Sequence, residues 1–298
     1  MKILLVDSGW KMRGGQWQTL YLAEGLREQG HGVRLLARQG SLLWDLALAS
    51  RLDTRQIGLV TMVTTSRSVD VVHVQDAHSH TLAAIGSLCP FVVSRRVAFP
   101  VKQNWFSDRK YARAAAYLAV SQSVAKELKR VGVAAEKIRV VMDGVPDIQP
   151  AEYLQHVAGL GSEDPGKLNP LMKLSCELAR AELVLSGSLA DALQGGFLFL
   201  YLSESEGLGS AVLLAMAAGM PIIASRVGGL PEAVDEGFSG LLVANEKNEV
   251  ARAIQALRED RNLSLRFSEN ARRRYLQYFT LDHMVQNTLA AYRELLHV

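Results

Sequence analysis

Short apolar runs and amphipathic stretches alternate along the first half of the chain. Lys2–Asp7 is apolar through its middle, which predicts a buried parallel strand. Leucine and alanine then recur at helical spacing until Gly30, and Val33–Ala37 predicts the next strand. This strand, helix, strand order is one βαβ unit, from which parallel sheets with helices on both faces are built. Further elements are predicted as strands at Asp70–Val74, Phe91–Ser94, Ala116–Val120 and Ile138–Val141 and as a helix at Ser121–Val131.

The regular pattern stops at Asp143–Pro150, where Pro, Asp and Gly are dense. Because proline lacks a backbone donor and ends helices, this segment predicts a turn-rich linker between two domains. The expected domains are 1–147 and 148–280, followed by a C-terminal helix over 281–298. The second half is predicted to contain strands at Glu182–Ser186, Phe197–Leu202 and Pro221–Ser225 and helices at Leu171–Arg180, Ser210–Ala218, Glu246–Leu257, Leu263–Tyr278 and Leu281–Leu296. The fold class that follows is α/β, with a doubly wound parallel sheet in the first domain and a further βαβ unit in the second.

Composition and charge narrow the classes of function. The 298 residues suffice for about two domains, and 49% hydrophobic with 21% charged residues is close to the globular average. A formal net charge of +3 lacks the basic excess of nucleic-acid binders, so no nucleic-acid partner is expected. Cys89 and Cys176 lack metal-ligand spacing, which argues against a zinc site and a disulfide framework. No apolar run suits a signal peptide or a bilayer span, so a cytoplasmic protein is expected.

The strongest local candidate for chemistry is the Gly-rich loop Ser203–Gly209, which directly precedes a predicted helix. Backbone N–H groups at a helix N-terminus favour an anion, so a phosphate group fits there. The other interpretation is that Gly207 and Gly209 only permit a tight turn between strand and helix. Glu206 also has two interpretations: its carboxylate either accepts hydrogen bonds from sugar hydroxyls or complements the helix dipole.

The run Ser205–Ser225, continuing through Val227–Glu232 to Gly240–Val243, resembles the donor-binding region of family 4 retaining glycosyltransferases of the GT-B fold. Weaker similarities to that family in the first half are found at Gly14-Gly15, Asp70–Asp76, Ala119–Ser121 and Val141–Val145. The resemblance implies two Rossmann-like domains that face each other across a cleft. It also implies a nucleotide-sugar donor bound mainly by the second domain, an acceptor bound by the first, and no required metal or other cofactor.

The same resemblance implies roles for individual residues. Glu206 corresponds to the first glutamate of an E-x7-E motif, which contacts the donor sugar, and the following backbone amides hold its hydroxyls or the diphosphate. Lys167 is the candidate for stabilising the leaving diphosphate. The residues expected to bind the donor are Gly14, Gly15, Gly207, Leu208, Gly209, Ser210 and Glu232. For Glu232, a simple helix start after Pro231 is an equally good explanation.

Three features depart from the family pattern. Leu214 stands where the second glutamate of the motif binds the ribose diol, and its side chain cannot accept a hydrogen bond. The family's Arg and Lys pair has no arginine counterpart in 156–167, which leaves Lys167 alone and predicts weaker leaving-group stabilisation. Fewer than fifty residues separate the linker from Phe197, room for roughly one and a half βα units. A truncated second sheet is therefore expected.

On the acceptor side the candidates are His78, Arg95 and Arg96. Histidine is the usual proton carrier near neutral pH, although a surface-loop role is the stronger expectation for His78. Arg95–Arg113 carries a local excess of five positive charges interleaved with aromatic residues. That segment is interpreted either as a site for a phosphorylated or lipid-linked acceptor at an anionic membrane surface or as a solvated face above buried aromatics. His73 lies inside an apolar strand and is expected to be a packed core residue.

Three hypotheses for function follow. The first is a retaining glycosyltransferase that moves a sugar from a nucleoside-diphosphate donor to a glycolipid or polysaccharide acceptor of the cell envelope, such as a lipopolysaccharide precursor, with peripheral contact at the inner membrane face. The second is a catalytically degenerate relative that binds a nucleotide, a glycan or a partner transferase without turnover. The third, a dinucleotide-dependent oxidoreductase, is weak because no G-x-G-x-x-G follows Lys2–Asp7.

Overall fold

A computed structural model describes residues 1–97, 105–149 and 156–297 of the chain. It divides into two compact units, one formed by residues 1–144 with 281–298 and the other by 145–280. Each unit has a parallel β-sheet and its own helices. The chain thus has the α/β class and the two parallel sheets that its βαβ pattern predicts.

The first unit contains a seven-stranded sheet in the order β3-β2-β1-β4-β5-β6-β7. Its strands are β1 (Lys2–Val6), β2 (Gly32–Ala37), β3 (Asp53–Gln56), β4 (Val71–Val74), β5 (Phe91–Arg95), β6 (Ala116–Ala119) and β7 (Ile138–Val140). Its helices are α1 (Gly14–Glu28), α2 (Leu42–Ala49), α3 (Leu59–Ser66), α4 (Ala77–Gly86), α5 (Trp105–Arg113), α6 (Gln122–Arg130) and, at the C-terminus, α13 (Leu281–Leu296). The strand order reverses between β1 and β4, which is where open sheets of this kind leave a crevice.

The second unit contains a five-stranded parallel sheet in the order β12-β11-β10-β8-β9. Its strands are β8 (His156–Leu160), β9 (Leu183–Ser186), β10 (Gly196–Tyr201), β11 (Ile222–Ser225) and β12 (Gly240–Val243). Its helices are α7 (Asn169–Ala179), α8 (Leu189–Leu193), α9 (Ser210–Ala217), α10 (Leu230–Ala233), α11 (Lys247–Glu259) and α12 (Arg261–Tyr278). Here the strand order reverses between β8 and β10.

The structure contains elements that the apolar pattern did not predict. Two complete βα pairs, β8 with α7 and β9 with α8, precede β10, so the expectation of one and a half was too low. β8 gives no clear apolar run, because its five residues begin with His156 and are interrupted by Gly159. In the first unit, β3 has only one half-buried residue among three exposed ones, so it gives no apolar run to recognise.

The C-terminal helix α13 belongs to the first unit rather than to the sheet that precedes it in sequence. Val285, Leu289 and Tyr292 on α13 are buried in the same apolar cluster as the core of β1, β2 and α1. Gly25 on α1 permits this packing, since a Cβ there would lie 2.6 Å from Val285 Cγ2. The division between units falls after residue 144, three residues before the boundary expected from the linker.

Candidate functional site

In the second unit, the loops that follow β8 and β10 meet at the carboxyl edge of the sheet. The two strands are parallel neighbours, so the loops that follow them leave the sheet at the same edge. The carbonyl oxygen of Gly166 accepts a hydrogen bond from the Glu204 N–H at 2.9 Å and another from Ser203 Oγ at 3.1 Å. This edge is the topological switch point of the sheet, the place where proteins of this architecture bind ligands.

Three polar side chains converge at that edge. Lys167, from the loop after β8, forms an ion pair with the Glu206 carboxylate, from the loop after β10. Tyr201, the last residue of β10, donates its hydroxyl proton to Glu206 Oε2 at 2.7 Å and accepts a hydrogen bond from Lys167 Nζ at 2.7 Å. The sequence singled out Lys167 and Glu206 separately, and the structure brings them into direct contact.

The cluster is largely shielded from water. The side chains of Lys167 and Glu206 retain 22% and 16% of their exposure, and Tyr201 is buried. Burial and the adjacent Glu206 charge raise the pKa of Tyr201 well above its usual range, so its hydroxyl stays protonated. The ammonium also lies 5.0 Å from the centre of the Tyr201 ring, within the range of a cation–π contact. A buried phenol at the end of β10 is the residue that sequence reasoning missed here.

Helix α9 begins directly beside this cluster. Gly209 precedes it with φ +88°, a left-handed conformation that favours glycine, and no side chain caps the helix. No acidic residue occupies the first turn either. Gly207, Leu208 and Gly209 are buried in the turn that leads from Glu206 to the half-buried Ser210. The positive end of the helix dipole therefore lies next to Glu206 and is available to an anion.

A second turn, before α10, packs closely against Glu206. The carbonyl oxygen of Glu206 accepts a hydrogen bond from the Gly229 N–H at 3.0 Å. Gly228 has φ +54°, and a Cβ at that position would lie 1.9 Å from the same oxygen. Glu232 lies in the first turn of α10, with its carbonyl oxygen bonded to Arg274 at 2.8 Å. The Gly-Gly-Leu-Pro-Glu run thus supports the Glu206 loop through its glycine backbone.

Two further polar residues hold the start of that loop. The Ser225 hydroxyl, at the end of β11, accepts from the Ser203 N–H at 2.9 Å and donates to Asn245 Oδ1 at 2.6 Å. Asn245 donates in turn to the Ser203 carbonyl oxygen at 3.0 Å. Leu214 is half-buried and is the fifth residue of α9. Nothing in the sequence marked Asn245, because its role depends on three strands ending at one edge.

In the first unit, the loops after β1 and β4 meet at its switch point. Asp7 is buried and accepts hydrogen bonds from the Gly9 N–H at 2.8 Å, Gln16 Nε2 at 3.0 Å and Thr19 Oγ1 at 2.7 Å. Burial raises its pKa against these hydrogen bonds. Asp76 joins the two loops by accepting from Ser8 N–H and Oγ, both at 2.7 Å. The expected donor residues Gly14 and Gly15 begin α1 just beyond this network.

The acceptor-side candidates lie at the same edge of the first sheet. Arg96 donates from Nε to Asp143 at 2.9 Å and from Nη1 to the Gln75 side-chain oxygen at 2.6 Å. His78 is exposed in the first turn of α4, and Arg95 is half-buried at the end of β5. The paired Arg96 is thus fixed in place, whereas His78 is open to solvent.

Two histidines near this edge are buried in neutral form. His73 contacts Tyr292 Oη at 2.6 Å and Ser94 Oγ at 2.8 Å, as a packed core residue on β4 should. His80 packs among the rings of Phe91, Tyr111 and Tyr117. Burial lowers the pKa of both to about 3. Neither is suited to proton transfer near neutral pH.

Two basic residues of the segment 95–113 bond to the neighbouring helix α4, and two of its aromatic residues are exposed. Lys110 donates to the Ala77 carbonyl oxygen at 3.1 Å, and Arg113 also bonds to carbonyl groups of α4, so these charges fasten α5 to α4. Trp105 and Phe106 are not buried beneath the helix but are 61% and 77% exposed. Lys102 and Phe99 lie outside the described residues. Across residues 1–97, 105–149 and 156–297, no helix has the length and hydropathy that a bilayer crossing demands.

The fold and the position of the site define an α/β protein of the GT-B fold, with its candidate site at the switch point of the second sheet. Residues 12–147 match the family model for Glycosyltransferase Family 4, and residues 179–274 match the model for Glycosyl transferases group 1. The second match includes Glu206 and all of α9, while Lys167 precedes it. Over these two ranges, the chain is similar in sequence to family 4 and group 1 glycosyltransferases.

Individual proteins also resemble this chain in sequence. D-inositol 3-phosphate glycosyltransferase of Streptomyces coelicolor is 28% identical over 172 residues, 55% of this chain and 37% of that protein. N-acetyl-alpha-D-glucosaminyl L-malate synthase of Bacillus anthracis is 35% identical over 111 residues, 37% of this chain and 29% of that protein. The matches thus span between about a quarter and two fifths of the length of these curated relatives.

Solved structures match the fold over nearly the whole chain. HepE of Anabaena in complex with UDP and glucose has a TM-score of 0.85 at 17% identity, covering 99% of this chain and 100% of that one. Sucrose-phosphate synthase of Thermosynechococcus elongatus has a TM-score of 0.78 at 17% identity, with 99% of each chain covered. The GT-B fold expected from the Ser205–Ser225 run is confirmed.

Proposed function

We propose that this chain is a retaining glycosyltransferase that transfers a sugar from a nucleoside-diphosphate donor. The observation that carries the proposal is the meeting of Lys167 and Glu206 beside the uncapped N-terminus of α9. A nucleotide sugar presents an anionic diphosphate next to neutral hydroxyls. The site offers a cation and helix dipole for the first and a carboxylate for the second.

In the proposed reaction, an acceptor hydroxyl oxygen bonds to the anomeric carbon as the bond from that carbon to the diphosphate oxygen breaks. Negative charge develops on the leaving diphosphate, whose oxygen takes up the proton of the acceptor hydroxyl. Lys167 and the first N–H groups of α9 stabilise that charge, with no metal assigned to the role. Glu206 accepts hydrogen bonds from the sugar hydroxyls, and the amides of Gly207, Leu208 and Gly209 complete the donor site. A side chain that is already shielded from water needs little reorganisation when charge develops.

For the acceptor, we propose an anionic glycolipid or polysaccharide precursor of the cell envelope. Support comes from Arg95 and Arg96 at the edge of the first sheet and from the exposed aromatic residues Trp105 and Phe106 on α5. Peripheral contact at the inner membrane face fits exposed aromatics beside basic residues. The names of the relatives point to smaller anionic or polyol acceptors, namely inositol phosphate and malate, which the same basic edge suits.

The second candidate function is binding without turnover, which Leu214 favours because it cannot hold a ribose diol. The size of the matched fold does not favour binding without turnover. HepE, which this chain matches along its full length, has a structure in complex with UDP and glucose. A domain of this size therefore occurs in a protein of the same fold that binds a nucleotide.

Calorimetric titration of the purified protein with UDP, GDP, ADP and their sugar conjugates tests the proposal. One sugar conjugate is expected to bind more tightly than its nucleoside diphosphate. Glu206→Ala should remove that difference in affinity, and Lys167→Ala should lower the affinity for the nucleoside diphosphate itself. The matched controls are Glu204→Ala in the same loop and Lys173→Ala on α7, both exposed. The anomeric configuration of the product, read by NMR, tests retention. Absence of binding across the panel would refute the donor site.

A further inference from the structure

We propose that Tyr201 is a positioning residue that keeps the Glu206 carboxylate in place while Lys167 turns from Glu206 toward the diphosphate of a donor. This inference rests on the proposed function and deepens it. It starts from one contact in the structure: Lys167 and Glu206, the two groups that would bind a donor, form an ion pair with each other.

The Glu206 carboxylate depends on the groups that donate hydrogen bonds to it. Its Oε2 atom accepts from both Lys167 and Tyr201. Among the residues that the structure describes, its Oε1 atom accepts only from the Gly207 N–H, at 3.3 Å. If Lys167 leaves for a diphosphate, Oε2 keeps a single strong donor, the Tyr201 hydroxyl. Because a half-buried carboxylate without a donor is unfavourable, that hydroxyl decides whether Lys167 can leave at low cost.

Tyr201 is suited to this role by its place in the fold. It ends the buried strand β10, and its ring stacks on Phe199 with centroids 6.0 Å apart. A ring fixed in a core can hold its hydroxyl still, whereas the Lys167 side chain has four flexible carbons. Burial raises the pKa of this phenol well above its usual range, so the hydroxyl stays protonated and donates to Glu206.

The expected consequence is a separation of effects between the sugar and the nucleotide. Tyr201→Phe keeps the ring and removes only the hydroxyl, so the carboxylate loses its fixed orientation toward the sugar. The ratio of affinities for the sugar conjugate and the bare nucleoside diphosphate should fall about tenfold, the size of one hydrogen bond to a charged group. In a Glu206→Ala background, Tyr201→Phe should change the ratio no further, because the hydroxyl acts through Glu206.

A first measurement needs no ligand. Wild-type protein and Tyr201→Phe are acetylated with N-hydroxysuccinimidyl acetate, and the labelling of Lys167 relative to the exposed Lys173 is read by peptide mass spectrometry. Loss of the hydroxyl should lower the relative labelling of Lys167 severalfold, because Glu206 Oε2 is then left with no strong donor whenever Lys167 turns away. The matched control is Tyr275→Phe, which removes another buried hydroxyl of the same unit, one bonded to the Val145 carbonyl oxygen at 3.2 Å. That control should leave the labelling unchanged.

The second measurement is the calorimetric affinity ratio for the same proteins, with thermal unfolding to verify that each is folded. Equal labelling of Lys167 in Tyr201→Phe and wild type would overturn the inference whether or not a donor binds. An equal loss of affinity for nucleotide and conjugate would also overturn it, since that result indicates general disruption. A wild-type protein that binds no nucleotide sugar would refute the proposed function and with it the positioning role, while the labelling would still report the contact.

Discussion

Gly228 offers the sharpest test of how the candidate site is built. Its φ of +54° and the 1.9 Å separation between an added Cβ and the Glu206 carbonyl oxygen make alanine unfavourable in two independent ways. Gly237 in the same unit isolates the first of these, since it has φ +71° and open space where a Cβ would go. Comparison of Gly228→Ala with Gly237→Ala therefore measures the close approach to Glu206 alone.

The magnitude follows from that geometry. Gly237→Ala should cost about 1 kcal/mol in the free energy of unfolding, the price of a left-handed alanine. In Gly228→Ala, the Glu206 oxygen must move away by about 1.5 Å to reach an ordinary contact distance. That shift breaks its hydrogen bond to the Gly229 N–H and disturbs a packed turn, which together add about 2 kcal/mol or more.

The assay is thermal and urea unfolding of both variants beside wild type, followed by titration with the nucleotide sugar. Gly228→Ala should melt about 6 °C below Gly237→Ala, at roughly 3 °C per kcal/mol for a unit of this size. It should also lose the affinity gain due to the sugar, whereas Gly237→Ala should keep it. Equal stability of the two variants would refute the close approach, and an unaltered sugar gain in Gly228→Ala would refute the dependence of Glu206 on this turn.

Three further results are expected. The folded pKa of about 3 for His73 and His80 means that stability is complete above pH 6.5 and is lost as pH falls toward 3. Each histidine should cost about 2 kcal/mol of unfolding free energy between pH 7.5 and pH 5. Because Asp7 titrates alike in both proteins, urea unfolding of His80→Phe should lose about 2 kcal/mol less than wild type over that range. Leu214→Glu should raise the affinity for a nucleoside diphosphate about tenfold and leave the affinity for its 2′,3′-dideoxy form unchanged. An equal rise in both affinities would exclude recognition of the ribose hydroxyls. Arg272→Met should expose 145–149 to limited proteolysis, since Arg272 bonds to Asp147 at 3.0 Å and to the Ile148 carbonyl oxygen; an unchanged cleavage pattern would contradict this.

The local pattern determined much of the fold. Apolar runs such as Lys2–Asp7 and Phe197–Leu202 predicted strands that the structure contains at nearly the same bounds, because a strand buried on both faces must be continuously apolar. The glycines and Glu206 before α9 located the candidate site for a similar reason. A strand, a glycine-rich turn and a helix N-terminus are neighbours in sequence, so their chemistry is visible without the tertiary structure.

Only the tertiary structure decided which distant residues share that site. Lys167 precedes Glu206 by 39 residues, and the two meet because β8 and β10 are neighbours in the sheet, a pairing that the undetected β8 concealed. Tyr201 looked like one more apolar strand residue, since only the final position of its ring shows that the hydroxyl ends between an ammonium and a carboxylate. The periodicity of the sequence indicates which residues of a strand or helix are buried. The order of the strands in the sheet determines which loops lie next to each other.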